Sequence, residues 1–287
     1  MLGASGLRPR KALGQNFLID LNLMHKLLDL AAPLADKTVL EVGPGTGSLT
    51  EDLLDRAGHV VAVELDRDLH ELLVRRLADR PNLTLIRGDV LADKHHVSPE
   101  VLAALAPEAE LVANLPYQTA TPLVADLLVE SWRARAGRTD AVRFPALTFT
   151  VQCEVADRLA AGPGSKAYGP VSVLVALLGR TTPGPVLPPE AFYPRPAVTS
   201  RMLRIDFDAP AAGRLADADA LDAVLRAAFG QRRKQLGGAL RAADGPYTAE
   251  ALSAARAATG VDPSLRAERV APEAYRAMAN ALASGRT

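Results

Sequence analysis

"VLEVGPGTGSLT", residues 39–50, runs from an apolar stretch into glycines at 43, 45 and 47 and out into a segment of helical spacing. A buried strand that turns at once into a helix reads this way, with glycines where the chain turns tightly or a ligand approaches the backbone. In open α/β sheets, ligands bind in the crevice beyond the carboxyl ends of the strands. The stretch therefore points to a fold class and to a place for chemistry.

Working outward, short apolar runs alternate with longer amphipathic ones. "HVVAVEL" (59–65), "LTLIRGD" (83–89), "ELVANL" (110–115) and "ALTFTVQ" (146–152) read as strands, and "LTEDLLDRA" (49–57), "DLHELLVRRLA" (68–78) and "LVADLLVESW" (123–132) as helices. Strands separated by helices imply a parallel, doubly wound α/β sheet of Rossmann-like form. "RARAGRTDAVRFP" (133–145) is polar and loop-like, a surface insertion. "YGPVSVLVALLG" (168–179) is apolar at too many positions for periodicity to decide; helix is preferred, because "PVLP" (185–188) and "SRMLRIDF" (200–207) supply later strands. "DAPAAGRLADAD" (208–219) has linker composition, and "ALDAVLRAAFGQRRKQLGGALRAA" (220–243) and "PEAYRAMANALA" (272–283) read only as helices. The expected organisation is an N-terminal arm (1–19), a Rossmann-like domain (20–208) and a small all-α domain (209–287).

Composition fits an ordinary globular protein. Of 287 residues, 48% are hydrophobic and 23% charged, and 33 Lys+Arg balance 33 Asp+Glu. Zero net charge argues against indiscriminate nucleic-acid binding but leaves room for a local basic patch. A single cysteine, Cys153, rules out an intrachain disulfide and fits a reducing compartment such as the cytoplasm. No run is long and apolar enough to span a bilayer, and "MLGASGLRPRKALG" lacks the apolar core of a secretory signal, so it reads as a disordered arm.

The glycine loop excludes the common nucleotide signatures. The dinucleotide fingerprint requires a third glycine where Ser48 or Thr50 stands, and no Walker sequence is present. Glu64 follows at the end of the second strand, about twenty residues on, where an acidic side chain holds ribose hydroxyls. Asp89 ends the third strand, where a carboxylate can accept from an adenine amine. The glycines alone would make only a tight turn. With two strand-end acids in order they suit an adenosine-containing cofactor without a pyrophosphate, and S-adenosylmethionine is the natural candidate.

Opposite these acids, "VANLPYQTATP" (112–122) sets an amide, a proline and a ring at a strand end. Pro116 fixes its own φ and biases Leu115 towards an extended backbone, which makes a stiff loop. An adenine amine is a poor nucleophile because its lone pair is delocalised. Two acceptors on its hydrogens, the Asn114 oxygen and a main-chain carbonyl, with the Tyr117 ring as platform, would aim that lone pair at an activated methyl group. A base within folded RNA must first leave its stack, and aromatic side chains then replace the lost stacking.

Taken in order, these residues resemble the ribosomal small-subunit RNA adenine dimethyltransferases. "KALGQNFLID" (11–20) is similar to that family's N-terminal motif; "VLEVGPGTGSLT", "VELDRDL" (63–69), "GDVL" (88–91) and "NLPY" (114–117) to its cofactor and target motifs. "VQCEVADRLAAGPGSKAYGPVSV" (151–173) and "FYPRPAVTS" (192–200) resemble its later sheet and loop motifs, and "FGQRRKQLGGAL" (229–240) its C-terminal basic helix. The resemblance implies that Asn16, Leu18, Gly43, Glu64, Asp89 and Asn114 line an S-adenosylmethionine site, with Gln15 near the methionine end. It implies that Asn114, Leu115 and Tyr117 receive the target adenine and that Phe192 adds a second ring. It further implies a substrate of two adjacent adenines, each dimethylated, in a hairpin near the 3′ end of small-subunit RNA within an assembling particle, and a monomeric enzyme.

Arg232, Arg233, Lys234 and Arg241, with Arg8, Arg10 and Lys11, are assigned to RNA phosphates in preference to a plain solvated face. The chain departs from the family at Cys153, where lysine is usual, at Pro170, where arginine is common, and in the longer loop 133–145. His95 and His96 are adjacent and too few for a metal site, and Cys153 has no evident histidine partner. Two rivals stand: a large-subunit RNA adenine methyltransferase of the macrolide-resistance type, and a non-catalytic assembly or transcription factor on the same fold.

Overall fold

The computed structural model describes residues 10, 15–94, 96–137, 141–231 and 233–285. Contacts divide the chain into two compact units, one of residues 1–156 and 181–207 and the other of residues 157–180 and 208–287.

The first unit is built on strands β1 (Phe17–Leu18), β2 (Thr38–Val42), β3 (His59–Glu64), β4 (Leu83–Arg87), β5 (Ala109–Asn114), β6 (Ala146–Gln152), β7 (Gly179–Leu187), β8 (Phe192–Tyr193) and β9 (Ser200–Phe207). Seven of these form one sheet in the order β4-β3-β2-β5-β6-β9-β7. β2 pairs in parallel with both β3 and β5, β3 with β4 and β5 with β6, while β9 runs antiparallel to β6. The central strands are nearly continuous apolar runs because helices cover both faces of such a sheet. Val39, Leu40, Val60, Val61, Leu111 and Val112 are all fully buried. The chain winds outward from β2 to β4, then returns to place β5 on the other side of β2. Strand order thus reverses between β2 and β5, where a crevice opens beyond the strand ends.

Several elements lay outside the sequence reading, among them the helices Leu21–Ala31, Pro99–Ala104 and Ala249–Ala258 and the strands β1 and β8. Helix Leu21–Ala31, capped by Asp20 accepting from the Leu23 N–H, buries Met24, Leu27 and Leu28 in the core. β1 pairs antiparallel with β8, with Phe17 opposite Tyr193 and Leu18 opposite Phe192. The helix Ala120–Arg135 also runs into the segment read as a loop.

In the second unit, helices Pro170–Leu178, Ala218–Phe229, Leu236–Arg241, Ala249–Ala258 and Pro272–Ser284 gather around three rings. Tyr168 and Phe229 meet edge-on with centroids 6.1 Å apart, and Phe229 lies 5.7 Å from Tyr275. The buried Tyr168 and Tyr275 hydroxyls donate to the Val270 and Ala267 carbonyls at 2.9 and 2.8 Å, so neither ring buries an unpaired polar group. This corrects the expectation of a single uninterrupted 20–208 domain: residues 157–180 belong to the helical unit, because Tyr168 completes its core. The linker-like 208–219 also contains a short helix, Ala209–Ala212, capped by Asp208. Pro170, one of the departures, occupies the first helical turn, where a missing N–H costs nothing.

Candidate active site

The register of β2 and β5, with Leu40 opposite Leu111, carries Gly43 and Asn114 to the same height, each three residues further on. Between them opens a cleft of about 560 Å³. Its walls come from the glycine loop, the ends of β3 and β4, the Asn114–Thr119 loop and the segment Gln15–Phe17.

All three loop glycines have left-handed backbones, with φ of 71°, 62° and 87° at Gly43, Gly45 and Gly47. Gly45 has a second reason to lack a side chain: a Cβ there would stand 2.6 Å from the Phe17 ring. The N–H groups of the three glycines are engaged within the fold. Gly43 donates to the Val63 carbonyl, Gly47 to that of Pro44, and Gly45 to Glu64 Oε2, each at 3.0 Å. A loop that cradles a pyrophosphate must aim such donors at the ligand; here they are engaged within the fold.

Glu64 is 5% exposed and accepts from Gly45 and, through Oε1, from the Asp66 N–H at 2.9 Å. Burial pushes its carboxyl above the ordinary glutamate value, while these two main-chain donors pull the other way. Each carboxylate oxygen retains acceptor capacity for a hydroxyl. Behind the loop lies Glu41, 1% exposed, whose Oε2 has no hydrogen-bond partner among the described residues. Burial, reinforced by the nearby Glu64 charge, pushes the Glu41 carboxyl up to about 8. Asp89, exposed on the opposite wall, turns the chain by accepting the Leu91 N–H at 3.0 Å.

On the target side, Asn114 Nδ2 donates to the Asn16 carbonyl at 2.9 Å. Because the partner is a carbonyl, the amide is oriented, and Oδ1 is its remaining acceptor. Leu115 is buried and tied to β6 by its N–H on the Thr150 carbonyl at 3.2 Å. Pro116 packs on the glycine loop, its Cγ 3.3 Å from where a Gly43 Cβ would be. The Tyr117 ring lines the cleft with its hydroxyl 3.4 Å from Ser200 Oγ, and burial raises its pKa above the ordinary tyrosine value.

The structure thus brings together Gln15, Asn16, Gly43, Glu64, Asp89, Asn114, Leu115 and Tyr117. Two assigned residues stand elsewhere. Leu18 and Phe192 face each other across β1 and β8 and are buried in the hydrophobic core, so neither side chain reaches the cleft. The neighbouring positions take the opposite face: Phe17 lines the cleft, and Tyr193, directly across from it, is 50% exposed. Gln15 Nε2 donates to Asp66 Oδ2 at 3.2 Å, and the Asp66 N–H in turn donates to Glu64 Oε1, so Gln15 stands at the Glu64 end of the cleft. Arg10, assigned to phosphates, is ion-paired with Asp66 and Asp68.

Sequence reasoning passed over Phe17, Glu41 and Asp66. Asp66 carried a usable signal, an acid directly before the helical run "RDLHELL", the position of an N-cap. In the helical unit, Arg233 and Lys234 are exposed between two helices, not on a basic helix, because one helix ends at Phe229 and the next begins at Leu236. Arg241 is exposed at the end of Leu236–Arg241. Arg232 and His95, with the arm residues Arg8 and Lys11, lie outside the described residues. His96 pairs with Asp93 at 2.9 Å, and no cluster of three or more metal-ligating side chains occurs among the described residues. Cys153 accepts a hydrogen bond from Thr199 Oγ1 at 3.3 Å.

A family model described as ribosomal RNA adenine dimethylase matches residues 6–284. The chain belongs to the ribosomal RNA adenine dimethylase family. A relative from Moorella thermoacetica, named ribosomal RNA small subunit methyltransferase A, is 38% identical over 96% of this chain and 93% of its own length. One of the same name from Phenylobacterium zucineum is 39% identical over 98% of this chain and 90% of its own length. Among solved structures, a dimethyladenosine transferase from Plasmodium falciparum superposes with a TM-score of 0.69 at 20% identity, covering 91% of this chain and 95% of the other. The 23S rRNA methyltransferase ErmE does so at 0.62 and 22%, covering 93% and 99%. Both show the shared fold. The enzyme is therefore an RNA adenine dimethyltransferase, and no described helix is long and apolar enough to cross a membrane.

Proposed function

We propose that this dimethylase uses S-adenosylmethionine to dimethylate the exocyclic amines of two adjacent adenines in a hairpin near the 3′ end of small-subunit ribosomal RNA, acting as a monomer on an assembling particle in the cytoplasm. The observation that carries the donor is the engagement of all three glycine N–H groups within the fold, beside a buried carboxylate. The glycine N–H groups are thus not offered to a phosphate and the buried carboxylate beside them disfavours one, whereas Glu64 suits two ribose hydroxyls and Asp89 an adenine amine. When bound, S-adenosylmethionine supplies a methyl group already activated by its sulfonium charge.

The chain's own work is then positioning. Glu64 and Asp89 hold the donor's nucleoside, and Asn16 and Gly43 close the wall around it. Asn114 Oδ1, fixed by the bond of its Nδ2 to Asn16, accepts one hydrogen of the target amine, and the Leu115 carbonyl accepts the other. Tyr117 holds the base in place of its lost stacking partners. The second ring comes from Tyr193 in place of Phe192, since Tyr193 shares a face with Phe17. Exposed Arg233, Lys234 and Arg241, together with Arg232, bind RNA phosphates from the helical domain, residues 209–287 with the 157–180 segment. Residues 1–19 act as an arm and the remainder as the methyltransferase domain.

The choice of small-subunit RNA is supported by the names of relatives 38% and 39% identical over nearly the whole chain. It is tested by supplying radiolabelled donor with undermethylated small and large ribosomal particles and mapping the modified bases. Label confined to two adjacent adenines of the small-subunit RNA is expected. Label confined to the large subunit would refute the substrate, and donor binding without transfer to either would favour a non-catalytic factor.

A further inference from the structure

Asp66 stands behind the cleft, yet three parts of the cleft wall meet on it. It is 3% exposed. Its Oδ1 accepts from the Asp68 and Leu69 N–H groups at 2.9 and 3.4 Å and so caps the helix Arg67–Arg76. Its Oδ2 accepts from Gln15 Nε2 at 3.2 Å and lies 3.3 Å from Arg10 Nε. Its main-chain N–H donates to Glu64 Oε1 at 2.9 Å. Arg10 closes the ring, donating its N–H to Gln15 Oε1 and its guanidinium to Asp68 Oδ2, both at 2.7 Å. One oxygen suffices for a helix cap. The other, buried and charge-assisted, faces the N-terminal segment.

We infer that Asp66 is a positioning residue: its carboxylate fastens Gln15 and Arg10 to the loop that carries Glu64, so that the seating of these two side chains and binding of the cofactor by Glu64 are coupled. The inference rests on reading the cleft as an adenosine-cofactor site. Gln15 and Glu64 both line the cleft, on separate segments of chain, and Asp66 touches both. Losing the Oδ2 contacts would therefore loosen the wall without touching any reacting atom.

Asp66→Asn separates the two jobs. Asparagine keeps an oxygen for the helix cap but presents an NH₂ to the donors of Gln15 and Arg10. S-adenosylmethionine binding, read by calorimetry, is expected to weaken about tenfold. The KM for the cofactor should rise while kcat at saturating cofactor holds. Gln15→Ala should weaken binding too, and the double variant should bind no worse than Asp66→Asn alone. Cofactor should slow amide exchange at residues 15–18 in the wild type and not in Asp66→Asn. Wild-type affinity in Asp66→Asn, or effects of the two variants that multiply, would overturn the coupling.

If Asp66→Asn lowers the thermal midpoint, Arg10→Ala decides in its place, because it leaves the cap intact: weakened binding supports the coupling and unchanged binding overturns it. Glu64→Ala separates this inference from the reading beneath it. A wild-type protein that binds no cofactor refutes the cofactor site itself. A wild type that binds, with Glu64→Ala impaired and Asp66→Asn unaffected, refutes only the coupling.

Discussion

The two walls of the cleft are built by different means. On the cofactor side a backbone loop has three left-handed glycines whose N–H groups are engaged within the fold, one of them by the buried Glu64 carboxylate. On the target side a short proline-stiffened loop presents side chains that are only half-buried, with one amide oriented by a single bond to Asn16. The first wall suits a ligand that stays in one place. The second suits a base that arrives from a large RNA, reacts and leaves.

If the walls are separable in this way, substitutions should split binding from transfer. Asn114→Ala should give the largest effect: methyl transfer at saturating substrates falls about a hundredfold or more, as for loss of a preorganised polar group at a reacting centre. Cofactor affinity by calorimetry should stay within about threefold. Equal loss of both would break the comparison. Tyr117→Ala should raise the KM for RNA by the value of one stacked base, about 1–3 kcal/mol, and Tyr117→Phe should keep most of the wild-type value in the same steady-state assay.

The smallest effect concerns the wall's foundation. Because the Glu41 pKa in the fold lies near 8, above that of an ordinary glutamate, its contribution to stability is present at low pH and is lost as pH rises to about that value. The slope is at most about 1.4 kcal/mol per pH unit for one proton. Glu41→Gln should remove that slope, so denaturation compared at about pH 6 and about pH 9 should show the variant gaining on the wild type. Parallel curves would mean that Glu41 ionises freely.

The difference between the walls also governs what the sequence disclosed. The strands β2, β3, β5 and β6 were legible because burial on both faces leaves short apolar runs between segments of helical spacing, and the glycine loop, Glu64 and Asn114 fall at their ends. Contacts spanning long stretches of chain were not. β1 and β8 are two residues each, and the alternation of a strand means that a shift of one residue exchanges Phe192 for Tyr193 and Leu18 for Phe17. The segment around Tyr168 joins the helical unit through Phe229, a partner that periodicity cannot name. The Gln15–Asp66 hydrogen bond was hidden for the same reason, since nothing in "GQNF" announces Asp66. The family resemblance was legible through most of the chain, and it identified the reaction more finely than it placed individual rings.

The central claim is that an adenosine-bearing methyl donor lies against Glu64, and calorimetric titration of S-adenosylmethionine tests it most directly. Wild-type protein should bind, with affinity that falls on acidification as the Glu64 carboxyl takes up its proton, a fall that begins above the ordinary glutamate range because burial raises that pKa. Glu64→Ala should bind about ten- to a hundredfold more weakly and lose this acid limb. Wild-type affinity in Glu64→Ala, with the acid limb intact, would contradict the account.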